Sequence, residues 1–311
     1  MKCFEDICRL SQVEVKNYMQ QYLKSKGYDV INEDGYLYAK GDVPVLLVAH
    51  MDTVHTEKCQ TIEHEGGKIS SPQGIGGDDR CGVFMIAKLV KNLHCSVLLC
   101  EDEESGGVGA KKFVNSDYID NLEVNYMIEF DRKGNNDAVF YSCGNQEFID
   151  FVVEGTGYKK AYGSFSDISY LMPASKLCGV NLSCGYYNPH MKSEYVIYDE
   201  MIDTIDAAEA LIKQEVIKPF VYEASYHSYG WDHDWDEEYP YRYGYSNYHR
   251  NEIASKISED TLINLEVYAI NKYGVEEVLY ASGETKYKCW VDLFVSNPWL
   301  SLDMVEDFIF N

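Results

Sequence analysis

The sequence has no apolar run near the roughly 18 residues that a membrane-spanning helix needs, so no membrane is expected as a partner. The opening Met1-Lys2-Cys3-Phe4-Glu5-Asp6 carries no long apolar stretch and predicts no signal peptide. Positive charge is scarce. Lys and Arg together number 27 against 51 acids, for a formal net charge of -24. A surface of that sign repels polyanions, so no nucleic-acid partner is expected. The ten cysteines include no Cys-x-x-Cys pair. Several, such as Cys81, Cys95, Cys100 and Cys184, sit in apolar or helical stretches and read as reduced, mostly buried thiols of a cytoplasmic protein. No Gly-Lys-Ser/Thr follows the glycines of Gly74-Ile75-Gly76-Gly77. They read as a tight turn that places Asp78, and not as a phosphate cradle. No internal repeat is visible.

What is present is a chain of 311 residues, 46% hydrophobic, enough for one large domain or two smaller ones. Helical patterns cover about 10–27, with Ser11 as cap, Glu14 three residues on and Gly27 as stop; further ones run from Asp78 to about Asn92, over roughly 107–115, and over 197–216. A helical stretch or turn covers 146–153. Short strands are expected at 28–31 and 35–39, an edge strand at 68–71, and further strands at 137–142 and 179–183. Val45–Ala49, Ser96–Cys100 and Val124–Phe130 are apolar runs of the kind buried on both faces. This alternation predicts an α/β fold, a three-layer sandwich with a mixed, mostly parallel sheet flanked by helices. That domain is expected over 1–218. Residues 220–250 then hold eight tyrosines, two tryptophans and three histidines among many acids. A Tyr-rich acidic linker or arm is therefore assigned to 219–251. Periodicity returns in a small appendage over 252–311, where Ser258 is placed to cap a helix. Trp231-Asp232-His233-Asp234-Trp235 invites a metal or partner reading, against a disordered surface segment, which is preferred. A protein partner or self-association through 219–311 is left open.

Chemistry-bearing residues follow the apolar strands. The first strand runs into His50-x-Asp52. Asp78-Asp79 opens a helix. The second strand runs into Glu103-Glu104, the third into Asp131, and the strand at 179–183 leads to His190. In open α/β sheets ligands bind beyond the carboxyl ends of the strands. Carboxylate and imidazole together suit zinc, with manganese or cobalt as substitutes. With no thiolate in the set, a catalytic site with an open coordination position fits better than a closed structural one.

This order of motifs resembles the co-catalytic di-zinc exopeptidases, the clan of bacterial leucyl aminopeptidases, peptidase T and glutamate carboxypeptidases. The likeness covers about residues 10–215. It implies that Asp78 bridges two Zn²⁺ ions, that His50 and Asp131 complete one site, and that Glu104 and His190 complete the other. It implies that Asp52 orients His50 and that Glu103 is the general base. A cis peptide between Asp78 and Asp79 is also implied. The function so implied is hydrolysis of a peptide C–N bond by metal-activated water, in an exopeptidase of aminopeptidase type. The layout is closest to the compact branch: 59 positions separate Asp131 from His190, leaving no room for a dimerisation insert, and 28 separate His50 from Asp78, which excludes the insertion of the large dodecameric aminopeptidases.

Two rivals stand beside this reading. A carboxypeptidase or an amidohydrolase of N-acyl amino acids would need a cation for the substrate carboxylate, and Arg80 and Arg132 adjoin the candidate ligands. Charge balance of an acidic site is the preferred role for both. The other rival is a non-catalytic metal-binding scaffold, against which the intact Glu103 speaks. Ser164-Phe165-Ser166-Asp167 reads equally as pocket lining, with Asp167 for a free amine, and as a helix cap. His55, His64 and His94 have no evident partners and read as structural or exposed.

Overall fold

Ser11 and Glu14 form the capping box that their spacing predicts, with the Ser11 N–H donating to the Glu14 carboxylate at 2.8 Å. The computed structural model describes residues 1–163 and 165–224. The expectations placed on 225–311, including the helix from Ser258 and the Trp231–Trp235 cluster, lie outside the described residues.

In chain order the elements are α1 (Phe4–Cys8), α2 (Gln12–Ser25), β1 (Val30–Glu33), β2 (Tyr36–Ala39), β3 (Val43–His50), β4 (Glu63–Glu65) and β5 (Lys68–Ser70). Then come α3 (Gly77–Leu89), β6 (Cys95–Cys100), α4 (Val108–Val114), α5 (Asp117–Asp120), β7 (Tyr126–Arg132), β8 (Asp137–Val139), α6 (Gln146–Thr156) and β9 (Lys159–Ala161). The described part closes with α7 (Asp167–Ser175), β10 (Gly179–Ser183), β11 (Tyr186–Tyr187), β12 (Tyr195–Ile197) and α8 (Tyr198–Ile212).

One mixed sheet has the order β1-β2-β6-β3-β7-β10-β8-β9. Its centre, β6-β3-β7-β10, is parallel, while β1, β2 and β8 join antiparallel toward the flanks. Burial on both faces explains why β3 and β6 are unbroken apolar runs: Val45 to Ala49 and Val97 to Leu99 are all buried. Burying each of the larger of these side chains contributes about 1.5–3 kcal/mol. Helix α3 packs on β3 and β7 and against α1 and α8, whereas α4, α5 and α7 form a second packed group, with α7 on β3, β7 and β10. The protein is thus a mixed α/β sandwich with a central sheet between helices.

The parallel centre positions the site. The strands β3, β6, β7 and β10 run the same way, so their carboxyl ends, near His50, Cys100, Asp131 and Ser183, lie at one edge of the sheet.

Several details differ from the sequence reading. The strand expected as an edge at 68–71 lies inside a second sheet, β11-β12-β5-β4, with partners on both sides. For helix α7 the sequence offers only a cap at 164–167, as one of two readings; the helix is short and contains Pro173. The chain also stays packed on the domain beyond α8: Phe220 is buried, and Cys143 and Leu177 form β-bridges with Ala224 and Val221. The cysteines among the described residues are free thiols, all buried except Cys3. No helix among the described residues is long and apolar enough to cross a membrane.

Candidate metal centre

His50 is the last residue of β3 and is almost fully buried. Its Nδ1 faces Asp52 Oδ1 at 3.1 Å, and its Nε2 faces Asp78 Oδ1 at 3.0 Å. With Nδ1–H donating to Asp52, Nε2 is free as a ligand atom, the arrangement by which carboxylates orient ligating histidines. Asp52 does more than hold the ring. Its Oδ1 and Oδ2 accept the backbone N–H groups of Glu103 and Glu104 at 3.0 and 3.1 Å. One carboxylate therefore fixes both His50 and the loop after β6. Burial raises the Asp52 pKa, but the His50 ring and these two N–H groups outweigh it and hold the group below its ordinary value.

Asp78 follows the turn 74–77, where Gly76 has φ +66° and so favours glycine. The Asp78–Asp79 peptide is cis. Asp78 divides its oxygens between two histidines: Oδ1 faces His50 Nε2, and Oδ2 lies 3.2 Å from His190 Nε2. Burial raises its pKa, yet the two imidazoles dominate and lower it. Asp79 turns the other way. Its fully buried carboxylate accepts the N–H groups of Gly82 and His50, at 2.7 and 3.3 Å, and so ties the start of α3 to the end of β3.

Two clusters result. His50, Asp78 and Asp131 form one; Asp78, Glu104 and His190 form the other; within each, the candidate ligand atoms lie within 4.8 Å of one another. Asp78 belongs to both. The spacings suit metal ions. Four donors at zinc bond lengths of 2.0–2.1 Å on a tetrahedron stand about 3.3 Å apart. Here His50 Nε2 is 3.0 Å from Asp78 Oδ1 and 3.5 Å from Asp131 Oδ1, and His190 Nε2 is 3.2 Å from both Asp78 Oδ2 and Glu104 Oε1. Glu104 Oε1 is buried and has no well-aligned hydrogen-bond donor. Asp131 is aimed by its neighbours: Ser166 Oγ–H donates to its Oδ2 at 2.7 Å, and Tyr186 O–H donates to its Oδ1 at 3.3 Å. His190 sits on a left-handed backbone, φ +64°, and is the most exposed of the five. Burial opposes its protonation, but Asp78 and Glu104 raise its pKa to about 11.

Glu103 lies beside both clusters and belongs to neither. It is nearly buried, and burial, reinforced by Asp131, Asp167 and Asp78, pushes its carboxyl up to about 10 despite His50. Asp167 and Glu129 lie close enough to Glu103 and Asp131 to raise one another's pKa values. Burial chiefly raises Asp167 to about 7, with the weakly donating Cys100 thiol as its neighbour, and Glu129 Oε2 lacks a hydrogen-bond partner. So many buried carboxylates are costly without compensating cations. Arg80 offsets part of this charge without a direct ion pair: it is buried near enough to Asp52 and Asp79 to interact with both, while its guanidinium donates to the carbonyls of Met51 and Leu10. Arg132 is paired with Asp137 at 3.2 Å. The carboxylate excess, the shared Asp78 and the spacings together fit a pair of dications.

Against this geometry the comparisons with known proteins can be set. No protein-family model matches the chain, and no curated protein matches its sequence. Solved structures match its fold. The aminopeptidase PepT of Bacillus cereus superimposes with a TM-score of 0.55 at 15% identity, over 67% of this chain and 96% of its own. A tripeptidase of Staphylococcus aureus gives 0.55 at 12% identity, over 68% and 96%. An aminopeptidase of the archaeon Desulfurococcus kamchatkensis gives 0.52 at 14%, over 68% and 94%. At these identities the likeness is one of fold: the chain shares the architecture of these peptidases.

Sequence reasoning left two groups without the roles they have here. Ser166, Tyr186 and Asn181 support Asp131, the last by accepting the Asp131 N–H at 2.8 Å and donating to its carbonyl at 2.9 Å. Glu194 and His55 pair at 2.8 Å beneath the turn before Asp78. Ser166 immediately precedes α7, so the segment read as either cap or pocket lining serves both the helix start and the site. His94 is also engaged, stacked on Tyr28 with ring centroids 4.0 Å apart, and His64 is paired with Glu5 at 3.2 Å.

Proposed function

We propose that this protein is a di-zinc hydrolase of peptide bonds, an exopeptidase of aminopeptidase type. The observation that carries the reading is the position of Asp78, whose two oxygens face two separate ligand clusters, with Glu103 buried and unligated beside them. His50, Asp131 and Asp78 would hold one ion and Glu104, His190 and Asp78 the other. Bound there, a pair of dications supplies Lewis acidity, bringing the pKa of water toward neutrality and stabilising the oxyanion of a tetrahedral intermediate. The chain's own residues supply the rest. Asp52 keeps the His50 proton on Nδ1 and holds the Glu103–Glu104 loop in register. Glu103 accepts the proton of the attacking water and returns it to the leaving amine. Its raised pKa reflects burial first and the neighbouring carboxylates second; two cations beside it would oppose both and favour the ionised form that acts as a base.

The arginines favour an aminopeptidase over the carboxypeptidase or amidohydrolase reading. Arg80 is buried on two backbone carbonyls and so is withheld from a substrate carboxylate, while Arg132 already has Asp137 as a competing partner at one of its nitrogens. The acids around the site, Asp167 and Glu129 among them, suit a substrate carrying a free amine. The test uses the zinc-loaded full chain. Free-amine dipeptides should be hydrolysed and N-acylated amino acids should not. Glu103→Gln should abolish turnover with both metals retained; full activity in that variant would refute the assignment of the base.

A further inference from the structure

Glu194 lies four residues after His190, and its side chain is 1% exposed. Three donors converge on its carboxylate. The Asp78 N–H donates to Oε1 at 2.9 Å, the Gly76 N–H donates to Oε2 at 2.9 Å, and His55 Nε2 faces Oε2 at 2.8 Å. The two backbone donors bracket Gly77. A Cβ added there would stand 2.7 Å from Val196 Cγ2 and 2.9 Å from Tyr186 Cβ, so the turn is pressed against β11 and β12. Both Glu194 oxygens are engaged by N–H donors, which leaves the residue outside the ligand set and in charge of the backbone that carries it.

Resting on the di-metal reading above, we propose that Glu194 is the positioning residue for the bridging carboxylate, and that His55 holds Glu194 in place from the far side. The physical argument concerns tolerance. A ligand of one ion can follow small backbone shifts by rotating its side chain. Asp78 faces His50 with one oxygen and His190 with the other, so a rotation that improves one contact degrades the second. Its backbone must be fixed, and Glu194 fixes the N–H of Asp78 itself. Because His190 and Glu194 share one short segment, the same piece of chain delivers a ligand to one cluster and the clamp for the residue that both clusters share. Glutamine cannot replace the carboxylate here. A carboxamide offers one acceptor oxygen, so either the Asp78 N–H or the Gly76 N–H with His55 would face another donor.

The test is zinc binding to the metal-free full-length chain, measured by competition with a chelating indicator in the wild type, Glu194→Gln and His55→Ala. Partners that orient metal ligands typically control affinity by 10–100-fold. Glu194→Gln should weaken both zinc-binding steps by about that factor, since Asp78 serves both. His55→Ala, which keeps the two backbone donors on Glu194, should weaken them by up to about tenfold. Wild-type affinities in folded Glu194→Gln, with only its thermal stability reduced, would show a structural role and overturn the proposal. Should Glu194→Gln not fold, unchanged affinities in His55→Ala would overturn it. A wild type that takes up no zinc would instead sink the di-metal reading itself, and the proposal with it.

Discussion

Replacing Asp52 with alanine removes the acceptor for three donors: the His50 ring N–H and the backbone N–H groups of Glu103 and Glu104. A buried donor left without a partner costs about 1–3 kcal/mol. The Asp52 side chain is 13% exposed, so water can reach part of the vacated space and each loss falls near the low end of that range. A total of about 3 kcal/mol in the metal-free protein follows. The effect on the loaded protein is larger, because His50 loses the group that orients its ring, and zinc affinity should fall by a further 10–100-fold. Urea unfolding of the metal-free variant checks the first number and chelator competition checks the second. A variant with wild-type stability and wild-type zinc affinity would refute the view that one carboxylate organises both His50 and the Glu103–Glu104 loop.

Two further outcomes are expected away from the site. Phe220 packs on Tyr126, Phe148 and Phe151, with ring centroids 6.2, 5.2 and 5.1 Å away. Phe220→Ala should cost about 3 kcal/mol, lowering Tm by roughly 6–12 °C in a domain of this size; an unchanged Tm would mean that the chain beyond α8 does not contribute to the core. Glu14, hydrogen-bonded to Lys58 and to the Ser11 N–H, has its pKa lowered from 4.5 to about 2. A depressed folded-state pKa stabilises above the unfolded value and ceases to do so as pH falls through the folded one. The Tm difference between wild type and Glu14→Gln should therefore be full above about pH 4.5 and vanish toward pH 2; a difference independent of pH would contradict this.

The sequence made the central strands legible because burial on both faces leaves little choice of residue: Val45–Ala49 and Ser96–Cys100 read as strands without further information. The candidate ligands were legible for a related reason. They sit where those strands end, so a polar residue after an apolar run marks the ligand-binding edge of the sheet. Beyond its cap, helix α7 was not legible, since nine residues with a proline inside give too short a periodicity. Strands β9, β11 and β12 are two or three residues long and carry no alternation to detect. Glu194 was one acid among 51, and its partner His55 lies far from it in sequence; only the fold brings them together under Asp78. Glu129 hides in the middle of β7, where a buried carboxylate runs against the apolar pattern of the strand. The candidate ligand residues, and Asp52 two residues after His50, are marked by local pattern, while Glu194, Tyr186 and Asn181, which hold ligand residues from afar in the chain, are marked only by tertiary contact.

The central claim is that Asp78 is shared by two metal ions. Metal content measured by mass spectrometry on the purified full-length chain, after incubation with zinc, tests it most directly. The account predicts two zinc ions per chain in the wild type and their loss in Asp78→Ala. A wild type that holds no metal after that incubation, or an Asp78→Ala variant that keeps both ions, would contradict it.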